Sequence, residues 1–236
     1  TTEIYTLSLH DALPISITNH FTRDFRITFK SVINRQISMS SQQQLQLIKS
    51  NILIIGDHSI GKTSLIRRFV DQKFEQSYVS TIGSDLSTKD VQIDSKFIIR
   101  LLLYDIGGQE QFHNRVTKYA PICNAFVICY DITNPTSFLH IDYWYNLLVQ
   151  TLGDRWQSLK HKVMLVGTKS DLVIPYAPQC DAGQVDYQRE QCQQVSVNYL
   201  KQACEHFQIP YAYETSAKNG IQIQEVFTEL AKICKL

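Results

Sequence analysis

Residues 47–63 read LIKSNILIIGDHSIGKT, and this stretch decides the fold. The apolar run ending at Ile55 predicts a strand, and the pattern from Lys62 to Val70 predicts a helix. Between them Gly56-Asp57-His58-Ser59-Ile60-Gly61-Lys62-Thr63 fits G-x-x-x-x-G-K-[ST]. The glycines let the backbone wrap a phosphate, and successive N–H groups with the helix N-terminus make an anion site. Lys62 is then placed to reach β- and γ-phosphates, and the Thr63 hydroxyl to bind Mg²⁺. His58, Ser59, Ile60, Gly61 and Ser64 complete the phosphate-binding set.

Outward from this loop, β-like runs alternate with helical patterns, the signature of a parallel sheet covered by helices. Strands are expected at 47–56, 87–94, 97–106, 124–131, 162–168 and 211–216. Several are nearly continuous apolar runs, as burial on both faces requires. The 87–94 run alternates and is more polar; Asp94-Ser95-Lys96 joins it to the next run, so it reads as an antiparallel edge. Helices are expected over 62–70, 135–151, 190–207 and 221–235, with a less regular one near 111–119. Pro135 suits the first turn of its helix. The fold class is therefore α/β: a six-stranded, mostly parallel sheet with one antiparallel edge strand and helices on both faces.

Lys and Arg total 23 and Asp and Glu 22, a net charge of +1, so no global field draws nucleic acid to the chain. No apolar run approaches the ~20 residues of a membrane-spanning helix. Six scattered cysteines contain no C-x-x-C pair, which fits reduced thiols better than disulfides or zinc. Residues 1–15 closely resemble a translated sequencing-library adapter, and 16–38 read as a further non-native leader. Met39 is the expected start of a single domain over 39–236, and residues 1–38 are expected to add nothing to its stability.

Three more segments fall at strand carboxyl ends, where open α/β sheets bind ligands. They are Asp105-Ile106-Gly107-Gly108-Gln109-Glu110, Thr168-Lys169-Ser170-Asp171 and Glu214-Thr215-Ser216-Ala217-Lys218. A phosphate loop alone leaves kinase, ATPase and GTPase open; these segments, in this order, resemble the Ras superfamily of small GTPases and its Rab family. The resemblance covers about 46–236 and includes Tyr78-Val79-Ser80-Thr81-Ile82-Gly83, Tyr130-Asp131-Ile132-Thr133-Asn134, Ser137-Phe138 and Trp144. It implies a P-loop NTPase G domain that binds GTP or GDP with Mg²⁺ held by Thr63, Thr81 and Asp105. It implies that the Gly108 N–H meets the γ-phosphate and that Gln109 orients the attacking water. Asp171 would pair with the guanine edge and Phe74 and Lys169 flank the base. The Ala217 N–H would read the base carbonyl, with Tyr78, Thr168, Ser216 and Lys218 completing the nucleotide site. The competing structural roles are a plain loop threonine at 81, a core phenylalanine at 74 and a packing glutamine at 109.

The resemblance implies a slow GTPase switch in vesicle trafficking, a monomer that meets effectors, an exchange factor and an activating protein at its switch loops. It is expected in the cytoplasm or on the cytoplasmic face of endomembranes, with membrane attachment only through a lipidated tail. Several residues depart from the family pattern. His58 places a bulky imidazole near the γ-phosphate, where water or an incoming arginine must fit. Gly107, Gln111, Ser84 and Leu86 alter the switch and effector face, and Thr168 replaces an asparagine. Cys234 lies one place too late for a C-a-a-X signal. A surface insertion is expected near 172–188. The alternatives are a hydrolysis-poor GTP-binding scaffold and another branch of the superfamily; a small nucleotide kinase lacks its acceptor-site and lid arginines.

Overall fold

Four central runs of the chain are apolar on both faces, and they form the middle of the sheet. A computed structural model describes residues 45–75, 81, 84–108, 113–173 and 194–235. The strands are β1 (Gln46–Ile55), β2 (Ser84–Gln92), β3 (Phe97–Ile106), β4 (Ala125–Asp131), β5 (Val163–Thr168) and β6 (Tyr211–Glu214). The helices are α1 (Lys62–Asp71), α2 (His113–Tyr119), α3 (Pro135–Leu139), α4 (Ile141–Leu152), α5 (Trp156–Leu159), α6 (Val197–Phe207) and α7 (Ile223–Lys235), with short 3₁₀ turns between some of them. The six strands lie in the order β2-β3-β1-β4-β5-β6. Among the described strands only β2 runs antiparallel to its neighbour; β1, β3, β4, β5 and β6 pair in parallel.

Strand periodicity splits the core in two. Ile52 and Ile54 of β1 face one side, with Leu101, Leu103, Val127 and Val166. There α1 supplies Leu65, Ile66 and Phe69, and α7 supplies Val226, Phe227 and Leu230. Phe69 stacks on Phe227 with ring centroids 4.0 Å apart. Leu53 and Ile55 face the other side with Phe126, Ile128 and Leu165, beneath Val116 of α2, Trp144 and Leu148 of α4 and Leu200 of α6. Each such side chain contributes about 1.5–3 kcal/mol by leaving water. Cys123 and Cys129 are buried in this apolar matter, which pushes both thiols up to about 12.

The β2–β3 turn is held by Asp94, whose Oδ1 accepts from the N–H groups of Lys96 and Phe97 at 2.7 and 2.9 Å. Lys235 at the end of α7 donates to Asp94 Oδ2 at 2.7 Å and lies 4.1 Å from the Phe97 ring centroid. The Lys235 bond, first, and the two backbone bonds hold the Asp94 carboxyl below the usual carboxylate range.

Three departures from the sequence expectation have a visible structural reason. β2 begins at Ser84, three residues early, because its polar start pairs with the end of β3 (Ser84 opposite Ile106). The helix expected over 135–151 is two helices that meet at His140. Asn134 caps the first by accepting from the Thr136 N–H, and Ser137 ties it to β4 by accepting from the Asp131 N–H at 2.9 Å. The helix expected from 190 starts at Val197. Val195 donates to the Ile132 carbonyl at 2.9 Å, and the extended Ser196 accepts from the Tyr199 N–H as N-cap. The proposed leader, and most of the proposed insertion (174–188), lie outside the described residues.

This cap is testable. Ser196→Ala removes the N-cap acceptor of α6 and is expected to cost about 1 kcal/mol. Urea denaturation checks it: the midpoint falls while the slope is unchanged.

Candidate functional site

A cleft of about 940 Å³ opens at the carboxyl ends of β1, β3 and β5. Its floor is the loop between β1 and α1, whose shape depends on left-handed backbone. Gly56 has φ +137°, and a Cβ there would lie 2.3 Å from the Cys129 carbonyl oxygen. Gly61 has φ +101° and begins α1. Between them Ser59 also takes positive φ, and Ile60 turns inward into the core. Lys62 is buried, and its ammonium donates to the carbonyls of Gly56 at 2.8 Å and Asp57 at 2.6 Å.

Three oxygens expected to hold metal converge beside Lys62. Thr63 Oγ1 donates to Asp105 Oδ2 at 2.5 Å and lies 2.7 Å from Thr81 Oγ1. Asp105 is buried, and among the described residues its Oδ1 has no hydrogen-bond partner. Burial raises its pKa, while the Thr63 bond and the Lys62 charge oppose the rise. A buried carboxylate oxygen left without a donor, next to two hydroxyls, fits a hard divalent cation such as Mg²⁺. Gly108 packs onto the phosphate loop: a Cβ there would lie 2.2 Å from the Asp57 carbonyl carbon. His58 is exposed and lines the cleft beside it.

The other end of the cleft is built from two loops. Thr168 closes one of them by donating from Oγ1 towards the carbonyls of Ile60 and Tyr130, the latter at 3.0 Å. Lys169 has φ +62°, and its ammonium pairs with Asp131 Oδ2 at 2.6 Å. Asp131 is in turn fixed by Thr133, which donates to Oδ1 through its N–H and its hydroxyl. The Asp171 carboxylate accepts from the Ser216 hydroxyl at 2.6 Å. Ser216 also accepts from the Asn219 N–H at 3.0 Å.

Most of the expected site residues share this cleft: His58, Ser59, Gly61, Lys62, Thr63, Ser64, Phe74, Thr81, Gly108, Thr168, Lys169, Asp171, Ala217 and Lys218 line it. Ile60, Asp105 and Ser216 are buried behind its wall. Tyr78, Gln109 and Gln111 lie outside the described residues. Phe74 is half-buried on the cleft wall rather than in either core cluster.

Two residues of the site escape a motif reading. Arg68 projects from α1 and donates through Nε to the Ala217 carbonyl at 2.5 Å and through Nη2 to the Lys218 carbonyl at 2.7 Å. Its guanidinium also lies 5.9 Å from the Phe74 ring centroid, so one side chain braces the loop and the aromatic wall together. Asp57 is the second, with Trp144 and His140 donating to its carboxylate at 2.8 and 2.6 Å.

Comparison with known proteins agrees with the geometry. The model of the Ras family matches residues 51–235. Ras-related protein Rab7 of Drosophila melanogaster is 33% identical over 181 residues, which cover 77% of this chain and 78% of that protein. The Ypt/Rab-type GTPase ypt7 of Schizosaccharomyces pombe is 32% identical over 183 residues, 77% of this chain and 80% of its own. Ras-related protein SEC4 of Saccharomyces cerevisiae is 33% identical over 182 residues, covering 77% and 73%. With a phosphate loop, an oxygen cluster and a carboxylate-bearing pocket in one cleft, and these relatives along most of its length, the chain belongs to the Ras family and is a Rab-like small GTPase.

Proposed function

We propose that this Rab-like GTPase is a Mg²⁺-dependent GTP/GDP switch in membrane trafficking, working on the cytoplasmic face of endomembranes. The observation that carries the reading is the single cleft, with Lys62 and the Thr63–Thr81–Asp105 oxygens at one end and Asp171 at the other. Mg²⁺, held by Thr63, Thr81 and Asp105, would neutralise phosphate charge. Lys62 holds the β- and γ-phosphates, the Gly108 N–H donates to the γ-phosphate, and Gln109 orients the attacking water. Catalysis of this kind is mostly positioning and charge stabilisation. At the base, Asp171 accepts from two adjacent N–H donors of guanine while Ser216 keeps its other lone pairs aligned. Phe74 and the Lys169 stem flank the ring, and the Ala217 N–H donates to the base carbonyl.

Loss of the γ-phosphate frees Thr81 and Gly108, and effectors, an exchange factor and an activating protein read that change at the switch loops. The protein works as a monomer, and membrane attachment depends on a lipidated tail. A second reading, a GTP-loaded scaffold that hydrolyses poorly, is favoured by His58 on the cleft wall next to Gly108.

The nucleotide that co-purifies with the chain, identified by mass spectrometry, tests the base. Asp171→Asn is expected to weaken GTP binding by about 100-fold, because two hydrogen bonds to a charged acceptor are lost. The same change is expected to improve xanthosine triphosphate, and equal GTP affinity in wild type and variant would refute the guanine assignment. Thr81→Ala keeps nucleotide but loses capture of effectors specific for the triphosphate state. Gln109→Leu keeps effector capture and lowers single-turnover hydrolysis at least about tenfold, the mark of an interaction made in the transition state. His58→Ser separates the two readings: a large rise in hydrolysis supports the scaffold, and an unchanged rate supports the switch.

A further inference from the structure

Asp57 occupies the phosphate loop, yet its side chain serves a different part of the molecule. Its Oδ1 accepts from the indole N–H of Trp144 at 2.8 Å, and its Oδ2 lies 2.6 Å from His140 Nδ1. A carboxylate only accepts, so the imidazole proton in this contact sits on Nδ1. Trp144 is buried in α4, and its main-chain N–H donates to the His140 carbonyl at 3.1 Å. His140 is the residue at which α3 gives way to α4. The main chain of Asp57 faces the nucleotide machinery instead. Its carbonyl accepts from Lys62 at 2.6 Å, and its peptide abuts Gly108 closely enough to exclude a Cβ.

The corner that holds Asp57 is itself tied to β4 by hydrogen bonds. Ser137 of α3 accepts from the Asp131 N–H at 2.9 Å and donates to the Asn134 carbonyl at 2.7 Å. Asp131 in turn holds Lys169 of the base pocket at 2.6 Å. A continuous set of hydrogen bonds therefore runs from the phosphate loop, through the α3–α4 corner and the end of β4, to the base pocket. We propose that Asp57, clamped by His140 and Trp144, is a positioning residue that sets how long the phosphate loop retains nucleotide. The inference rests on the guanine-nucleotide reading of the cleft. It assigns to the α3–α4 corner, whose Ser137, His140 and Trp144 are not among the residues lining that cleft, a share of nucleotide retention.

The test is the release rate of a fluorescent GDP analogue, chased with excess GDP in millimolar Mg²⁺, from the full chain and its variants. Asp57→Ala and Trp144→Phe are each expected to release about tenfold faster, the size expected for losing one bond to a charged acceptor. His140→Ala, at a half-exposed corner, is expected to speed release in the same direction. His140→Asn, whose amide nitrogen stands where Nδ1 stands, restores the wild-type rate. Ser196→Ala serves as the stability control, since it weakens the fold without touching the loop, and its release rate stays at wild type. Wild-type release from Trp144→Phe and His140→Ala would overturn the inference whatever becomes of Asp57→Ala. So would release from Ser196→Ala as fast as from the clamp variants. A wild-type chain that holds no GDP would instead remove the guanine-nucleotide reading, and this inference with it.

Discussion

An ammonium group taken out of water needs oxygen partners to stay charged, and Lys62 finds them in the carbonyls of Gly56 and Asp57. This contact dictates the shape of the loop. Two successive carbonyls can turn onto one cation only if the chain bends sharply, which Gly56 allows at φ +137°. Because each peptide is planar and trans, the amides of Asp57 and His58 then point away from the ammonium. The same constraint explains the crowding around the loop. The Cys129 carbonyl lies behind Gly56 and Gly108 in front of Asp57, each too near for a side chain. The cleft is thus set by backbone contact on two sides, and α1 starts where the loop ends.

Charge balance extends from that lysine. Asp105 is 3% exposed, and its burial works against the charge that its proposed role as a metal ligand would require. Lys62 and the Thr63 hydroxyl offset part of this, and a divalent cation would offset the rest. Among the described residues no group of three His, Cys, Asp or Glu side chains is placed to hold a metal. The single carboxylate with two hydroxyls is a sparse set, which would leave a bound cation coordination positions for phosphate and water. At the far end the Asp131–Lys169 pair and the Asp171–Ser216 bond fix two loops whose backbones also meet, Ser170 donating to the Thr215 carbonyl at 3.0 Å.

The sheet was legible because its central strands are apolar on both faces, a pattern that only burial under two helical layers explains. The phosphate loop was legible because glycine at 56 and 61 and lysine at 62 are close in sequence. What stayed hidden depends on contacts between distant segments. Arg68 meets Ala217 and Lys218, and Asp57 meets His140 and Trp144, and in neither case does local spacing mark the partner. Trp144 stood out as a Rab-like residue, but its hydrogen bond to the phosphate loop did not. The break at His140 was hidden for a related reason. The apolar pattern continues across it, and the kink follows from Ser137 anchoring α3 to the end of β4. The start of α6 was masked by helix-compatible residues before Ser196, whereas in the structure Val195 donates to the Ile132 carbonyl and Ser196 itself is extended.

The edge position of β2 also shapes the order in which the chain assembles. Among the paired strands, β2 and β3 are the ones joined by a local turn, from Asp94 to Lys96. β1 meets β3 with Gln46 opposite Phe97, and β4 meets β5 with Phe126 opposite Val163, both across long crossovers. Closing a short loop takes less entropy than closing a long one, about 2 kcal/mol less for a tenfold difference in length, and hairpins form in about 1–10 μs. The polar edge can therefore zip before its parallel neighbours arrive. β3 then enters the search for β1 with one flank already paired, so the strand that carries Asp105 has a single open side on which to dock.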